Sequence, residues 1–129
     1  MMETFLKYLA VGAGGALGAC LRYCIGNSIL SRVAQPFPTA TFFINVTGSF
    51  AVGFFLTLAA EKLTIDPYLK LAVAVGFLGA YTTFSALEYE TAQLAADGNS
   101  FSAFLYVVFS FAVGFAAVVS GMLLARKII

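Results

Sequence analysis

Gly76-Phe77-Leu78-Gly79-Ala80-Tyr81-Thr82-Thr83-Phe84-Ser85 lies in the middle of a mostly apolar run from Leu69 to Ala96. At about 28 residues the run exceeds the ~20 that a straight helix needs to cross a bilayer. Its centre holds two glycines and a Tyr-Thr-Thr-Phe-Ser series, all weak helix formers. Lipid cannot hydrogen-bond a backbone, so irregular chain at that depth must be covered by protein or line a water-filled cavity. The stretch predicts a membrane helix broken near residues 79–83.

Three further apolar runs surround it, from about Thr4 to Gly26, Thr39 to Ala60 and Phe101 to Ala125. The connectors are short: Asn27 to Pro38, Glu61 to Pro67 and Asp97 to Ser100. With 61% hydrophobic residues, 10% charged and a mean hydropathy of +0.96, too little polar surface exists to cover a water-soluble globule. The fold class is an all-α membrane protein of four transmembrane helices, the third broken, forming one domain over residues 1–129. Only Met-Met-Glu precedes the first run, without a basic flank or cleavage signal, so that run reads as a retained helix.

The net charge of +1 offers no basic patch for nucleic acid. Cys20 and Cys24 are spaced for one helix face, but a chain without histidine gives a metal no further ligands, so both read as small buried hydrophobes. The same absence, with no activated cysteine and no paired acid site, argues against an enzyme and an organic cofactor. Gly14 and Gly18 form a GxxxG motif, Gly15 and Ala19 a second small pair, and Ser110, Gly114, Ala117 and Gly121 repeat the pattern on the last helix. Such pairs mark close helix contacts.

Polar residues inside a span are costly and ask for a partner or a task. Arg22, Asn45, Glu88 and Glu90 are the candidates. Arg22, near the end of the first helix, either snorkels to the interface or neutralises a carboxylate. Asn45 is deeper, and is either glue between helices or a donor to an anion. Ser85 and Glu88 are three apart and share a face of the third segment, as do Leu87 and Glu90. Phe84 follows the predicted break, and a ring edge turned toward a pore is a weak anion contact.

Three stretches, Gly14 to Tyr23, Thr41 to Phe50 and Gly76 to Ser85 with Glu90 following, together resemble the Fluc (CrcB-type) fluoride channel family. The resemblance implies a fluoride-selective passive channel in the cell inner membrane, exporting fluoride from the cytoplasm. It implies a dual-topology antiparallel dimer with two pores and a structural sodium ion at the dimer centre, held by main-chain carbonyls of Gly79 and Thr82. It places Asn45, Phe84, Ser85, Thr41, Tyr106, Ser110 and Glu88 along the fluoride pathway, and Arg22 and Glu90 nearer the vestibules. The partners are then fluoride, lipid and a second subunit, either an identical chain or a homologous one. The chain departs from the family pattern at Leu87, where a second phenylalanine is usual, and at Glu88, where a hydroxyl is usual. On the last helix Tyr106 and Ser110 fit a polar repeat that Gly114 and Val118 interrupt. A small proton-coupled multidrug exporter is the rival reading, but it needs a carboxylate deep in the first helix, and there is none.

Overall fold

The computed structural model describes residues 1–61 and 65–128, and among these the chain is helix, turn and bend. Helix α1 is Met2–Gly26, α2 is Thr39–Glu61, α3 comprises residues 67–81, α4 is Phe84–Ala96 and α5 is Ser100–Ile128. Four stretches are long and apolar enough to cross a membrane, with α3 and α4 together forming the third. The chain is therefore a multi-pass membrane protein. Each stretch overruns its apolar core by one to three residues at an end, as the start at Met2 and the end at Ile128 show. Residues 62–64 of the connector expected from Glu61 to Pro67 lie outside the described residues.

Local chemistry explains where the third span starts. Pro67 opens it in the first turn, where a missing N–H costs nothing, and the Asp66 carboxylate accepts from the amides of Tyr68 and Leu69 at 2.9 and 3.0 Å. Residues Leu71–Leu78 then adopt wide π-helical turns before Gly79–Tyr81 return to α geometry. This widened stretch is the one that α1 presses against.

Two helix pairs make the bundle, each built on glycines where backbones meet. A Cβ added at Gly14 would collide with the Ala72 carbonyl, and one at Gly18 with the Phe77 carbonyl; both numbers rise together, so α1 and α3 run parallel. From the other side Gly76 faces the Val11 carbonyl. Gly53 likewise abuts Val118, and Gly121 abuts Phe50 and Phe54, while Glu61 pairs with Arg126 at the C-terminal ends and Thr41 and Tyr106 share Glu90 near the N-terminal ends, so α2 and α5 also run parallel. Without a hydrophobic drive inside lipid, this close packing is what joins the helices.

Leu87, Leu94, Ala103 and Tyr106 form a small buried cluster, sealed by Phe37 and Phe42 from the connector side. Phe37 meets both Phe42 and Tyr106 edge-to-face, with centroids 5.6 and 5.2 Å away. Many other large apolar side chains, including Leu17, Phe104 and Phe115, are exposed, as a lipid-facing surface requires. Cys20 and Cys24 are exposed too, contrary to the sequence reading. The contact face of α1 is claimed by Gly14 and Gly18, and at 3.6 residues per turn both cysteines fall on its far side.

Candidate functional site

The third span breaks at Thr82–Thr83. Thr82 has ψ 156° and Thr83 has φ −149° and ψ 120°, both extended. Two threonine hydroxyls stabilise the interruption: Thr82 Oγ1 donates to the Leu78 carbonyl at 3.0 Å, and Thr83 Oγ1 accepts from the Ala86 amide at 3.2 Å, capping α4. Asn45 of α2 then takes both main-chain groups of Thr83. Its Oδ1 accepts from the Thr83 amide at 2.8 Å and its Nδ2 donates to the Thr83 carbonyl at 2.9 Å. Arg22 of α1 reaches across to donate from Nε to the Ala80 carbonyl at 2.9 Å.

These contacts redirect the backbone in a specific way. In an unbroken helix the Thr83 amide would serve the Gly79 carbonyl, and the Ala86 amide would serve that of Thr82. Here the first amide goes to Asn45 and the second to Thr83 Oγ1. The carbonyls of Gly79 and Thr82 are thus stripped of their helical donors, while that of Ala80 is claimed by Arg22. Two such oxygens at the negative end of α3 suit a hard monovalent cation, so the donor set fits the sodium that the resemblance implies. The positive end of α4 begins immediately beyond it. Half-helix ends that meet in mid-membrane can thus serve a cation on one side and an anion on the other.

Beside the break lies a groove of about 430 Å³, lined by Asn45, Ser49, Thr83, Phe84, Leu87 and Ser110 among others. Asn45 has spent one Nδ2 hydrogen on Thr83, and the second has no partner among the described residues. Ser110 Oγ is buried and likewise has no hydrogen-bond partner among the described residues. Phe84 stands at the groove 61% exposed. Gly114 and Val118 continue the same wall without polar groups.

A second polar cluster lies toward the 27–38 connector. Thr41 Oγ1 donates to Glu90 Oε1 at 2.7 Å and Tyr106 Oη donates to Glu90 Oε2 at 2.6 Å, so both carboxylate oxygens are engaged. A cleft of about 250 Å³ reaches this cluster, bordered by Ser31, Gln35, Pro38, Thr41 and Glu90. Thr41 and Tyr106 therefore group with Glu90, and Asn45, Phe84 and Ser110 group at the break.

Ser85 and Glu88 fall on the exposed face of α4. Ser85 Oγ is 3.4 Å from Thr83 Oγ1, and Glu88 has no hydrogen-bond or ion-pair partner among the described residues. Arg22 donates from Nε to the Ala80 carbonyl and makes no ion pair among the described residues. Sequence reasoning also passed over Thr47 and Tyr81, whose hydroxyl oxygens lie 2.8 Å apart. The available signal was two hydroxyls at mid-span, in the very stretches that the family pattern covers.

Four spans, a mid-membrane helix break with unclaimed carbonyls and a polar groove beside it define a small membrane protein of the ion-transport class. The family model described as CrcB-like protein, Camphor Resistance (CrcB), matches residues 9–122, and the chain belongs to that family. It is 45% identical over 122 residues to a protein of Solibacter usitatus, covering 95% of this chain and 100% of that one. It is 46% identical over 124 residues to one of Acidobacterium capsulatum, covering 96% and 99%, and 41% identical over 122 residues to one of Sulfurihydrogenibium, covering 95% and 98%. All three relatives are named fluoride-specific ion channel FluC.

Proposed function

We propose that this chain is the subunit of a passive, fluoride-selective channel of the cell inner membrane, a conduit and not an enzyme. The observation that carries the reading is the groove at the break, where an amide hydrogen of Asn45 and the hydroxyl of Ser110 lack partners beside the Phe84 ring. Fluoride is small and strongly hydrated, so a path for it must replace water with donors weak enough to release it. Amide, hydroxyl and ring-edge contacts meet that need, and the amide end of α4 favours negative charge. Larger anions fit such a path poorly. A potential negative inside is worth about 2.3 kcal/mol per charge per 100 mV, which drives an anion outward without coupling.

In this reading two chains in opposite orientations assemble with two pathways. Their carbonyls of Gly79 and Thr82 hold one central sodium ion. The second copy would also cover the exposed Ser85 and Glu88 face of α4, whose polarity does not suit lipid. Glu90, braced by Thr41 and Tyr106, stands at the vestibule end.

Liposomes loaded with potassium fluoride and containing only this chain test the claim. On addition of a potassium ionophore they are expected to release fluoride within seconds and to retain chloride. Release no faster than from empty liposomes, with folded protein confirmed, rejects the channel reading for a single-chain assembly.

One observation favours a second reading, a non-equivalent subunit paired with a homologous chain. With both termini inside, Lys7, Lys62, Lys70, Arg126 and Lys127 lie on the cytoplasmic side against Arg32 outside. Lys7 pairs with Glu3 and Arg126 with Glu61, but acidic residues contribute little to the orientation rule. For the homodimer, a cysteine placed after Ile129 is expected to be labelled from both faces of the membrane. Labelling from one face alone excludes it.

A further inference from the structure

Three side chains on neighbouring helices hold the segment at the break, and two of them are Asn45 and Arg22. The third is Thr47 on α2, whose Oγ1 lies 2.8 Å from the Tyr81 hydroxyl. The proton directions follow from the neighbours. Thr47 Oγ1 lies 2.7 Å from the Phe43 carbonyl one turn back, which can only accept, so the threonine's single proton is committed there. Tyr81 is therefore the donor to Thr47. The reverse arrangement would leave the Tyr81 proton without an acceptor among the described residues.

The ring itself is held on two sides. It stacks on Phe77 with centroids 6.0 Å apart and an interplanar angle of 8°, and it lies so close to Gly48 that an added Cβ there would meet it at 3.2 Å. Tyr81 is 6% exposed, whereas Gly79 two residues earlier is exposed. It is thus a buried post between the two residues whose carbonyls have lost their helical donors. The ring packing supports the fold, and the hydroxyl fixes the height and rotation of this short turn against α2.

We propose that Tyr81, through its hydroxyl on Thr47, is a positioning residue for a monovalent cation held by the main-chain carbonyls of Gly79 and Thr82. The proposal rests on the cation reading given above and adds what sets the spacing of the two oxygens. Cation affinity is sensitive to that spacing because carbonyl dipoles act at contact distance.

The test uses the full chain and its Tyr81→Phe and Thr47→Val variants, purified in detergent without sodium in an N-methylglucamine buffer. Melting temperature is followed as sodium is added, and fluoride efflux is measured in parallel. Tyr81→Phe keeps the ring stack, so it is expected to melt cooperatively, with the sodium midpoint raised about two- to tenfold, the range for one net hydrogen bond. Efflux at saturating sodium is expected to stay near that of the unsubstituted chain. Thr47→Val is expected to give the same shift, and the double variant no more than either alone. An unmoved midpoint in Tyr81→Phe, additive shifts, or an efflux defect that saturating sodium does not repair would overturn the proposal. An unsubstituted chain whose melting ignores sodium removes the cation reading itself, and the positioning role falls with it.

Discussion

Asn45→Leu is expected to reduce fluoride efflux by about two orders of magnitude or more per folded protein. Leucine has the same number of side-chain heavy atoms and the same branching as asparagine, so the change is chiefly the loss of hydrogen-bonding groups. The Thr83 amide and carbonyl, bonded to Asn45 at 2.8 and 2.9 Å, lose their partners together. Each buried unpaired polar group costs about 1–3 kcal/mol, and membrane depth offers little water to repair the loss. The two sum to about 2–6 kcal/mol against the broken geometry, enough to favour other backbone arrangements at residues 82–83. The groove also loses its free amide hydrogen. Efflux from liposomes, normalised to protein that elutes as a single folded species, measures the effect. Efflux near that of the unsubstituted chain would show that Asn45 neither holds the break nor serves the path.

Asn45 also illustrates what a sequence makes legible. Its depth in α2 marked it as important, but position alone left glue and anion donor as alternatives. The structure adds that one amide can do the first with Oδ1 and one hydrogen and still leave the other hydrogen free. The broken helix was readable because weak helix formers in mid-membrane have few explanations, and Thr82–Thr83 falls inside the expected window. The four spans were readable from hydropathy, and the glycine contacts from their spacing. Groupings across helices were not. Nothing in sequence order brings Thr41, Glu90 and Tyr106 together, because they come from α2, α4 and α5. The cysteines were misread because four-residue spacing shows that two side chains share a helix face without showing which way that face points.

Glu88 lies on the same half-helix as Glu90, yet their surroundings are opposite. Glu90 accepts from two hydroxyls within the chain, so both of its carboxyl oxygens are already satisfied. Glu88 is exposed about one turn into a half-helix that starts in mid-membrane, roughly 6 Å along the axis from Phe84. An unaccompanied carboxylate at that depth is costly, and a second chain or water in a vestibule would relieve the cost. This exposed side chain supports the two-chain assembly proposed above.

The second large effect is expected from packing remote from the path. Gly18→Val should cut the yield of folded protein at least tenfold, while Gly12→Val leaves it unchanged. At Gly12 an added Cβ meets nothing within 4 Å, but at Gly18 it lands on the Phe77 carbonyl, backbone that cannot rotate away. Overpacking commonly costs about 1–3 kcal/mol, and a clash with main chain belongs at or above the top of that range. About 3 kcal/mol corresponds to roughly a hundredfold change in the folded-to-unfolded ratio. The consequence also reaches the break, because Arg22 lies one turn beyond Gly18 on α1 and holds the Ala80 carbonyl at 2.9 Å. Forcing α1 away from α3 by even an ångström or two lengthens that hydrogen bond past its useful range. Any folded Gly18→Val protein should therefore also conduct poorly, and Arg22→Gln, which leaves the glycine contact intact, should share the conduction defect while retaining most of the yield. Normal yield of Gly18→Val, measured by size exclusion in detergent beside Gly12→Val, would contradict this close approach of α1 and α3.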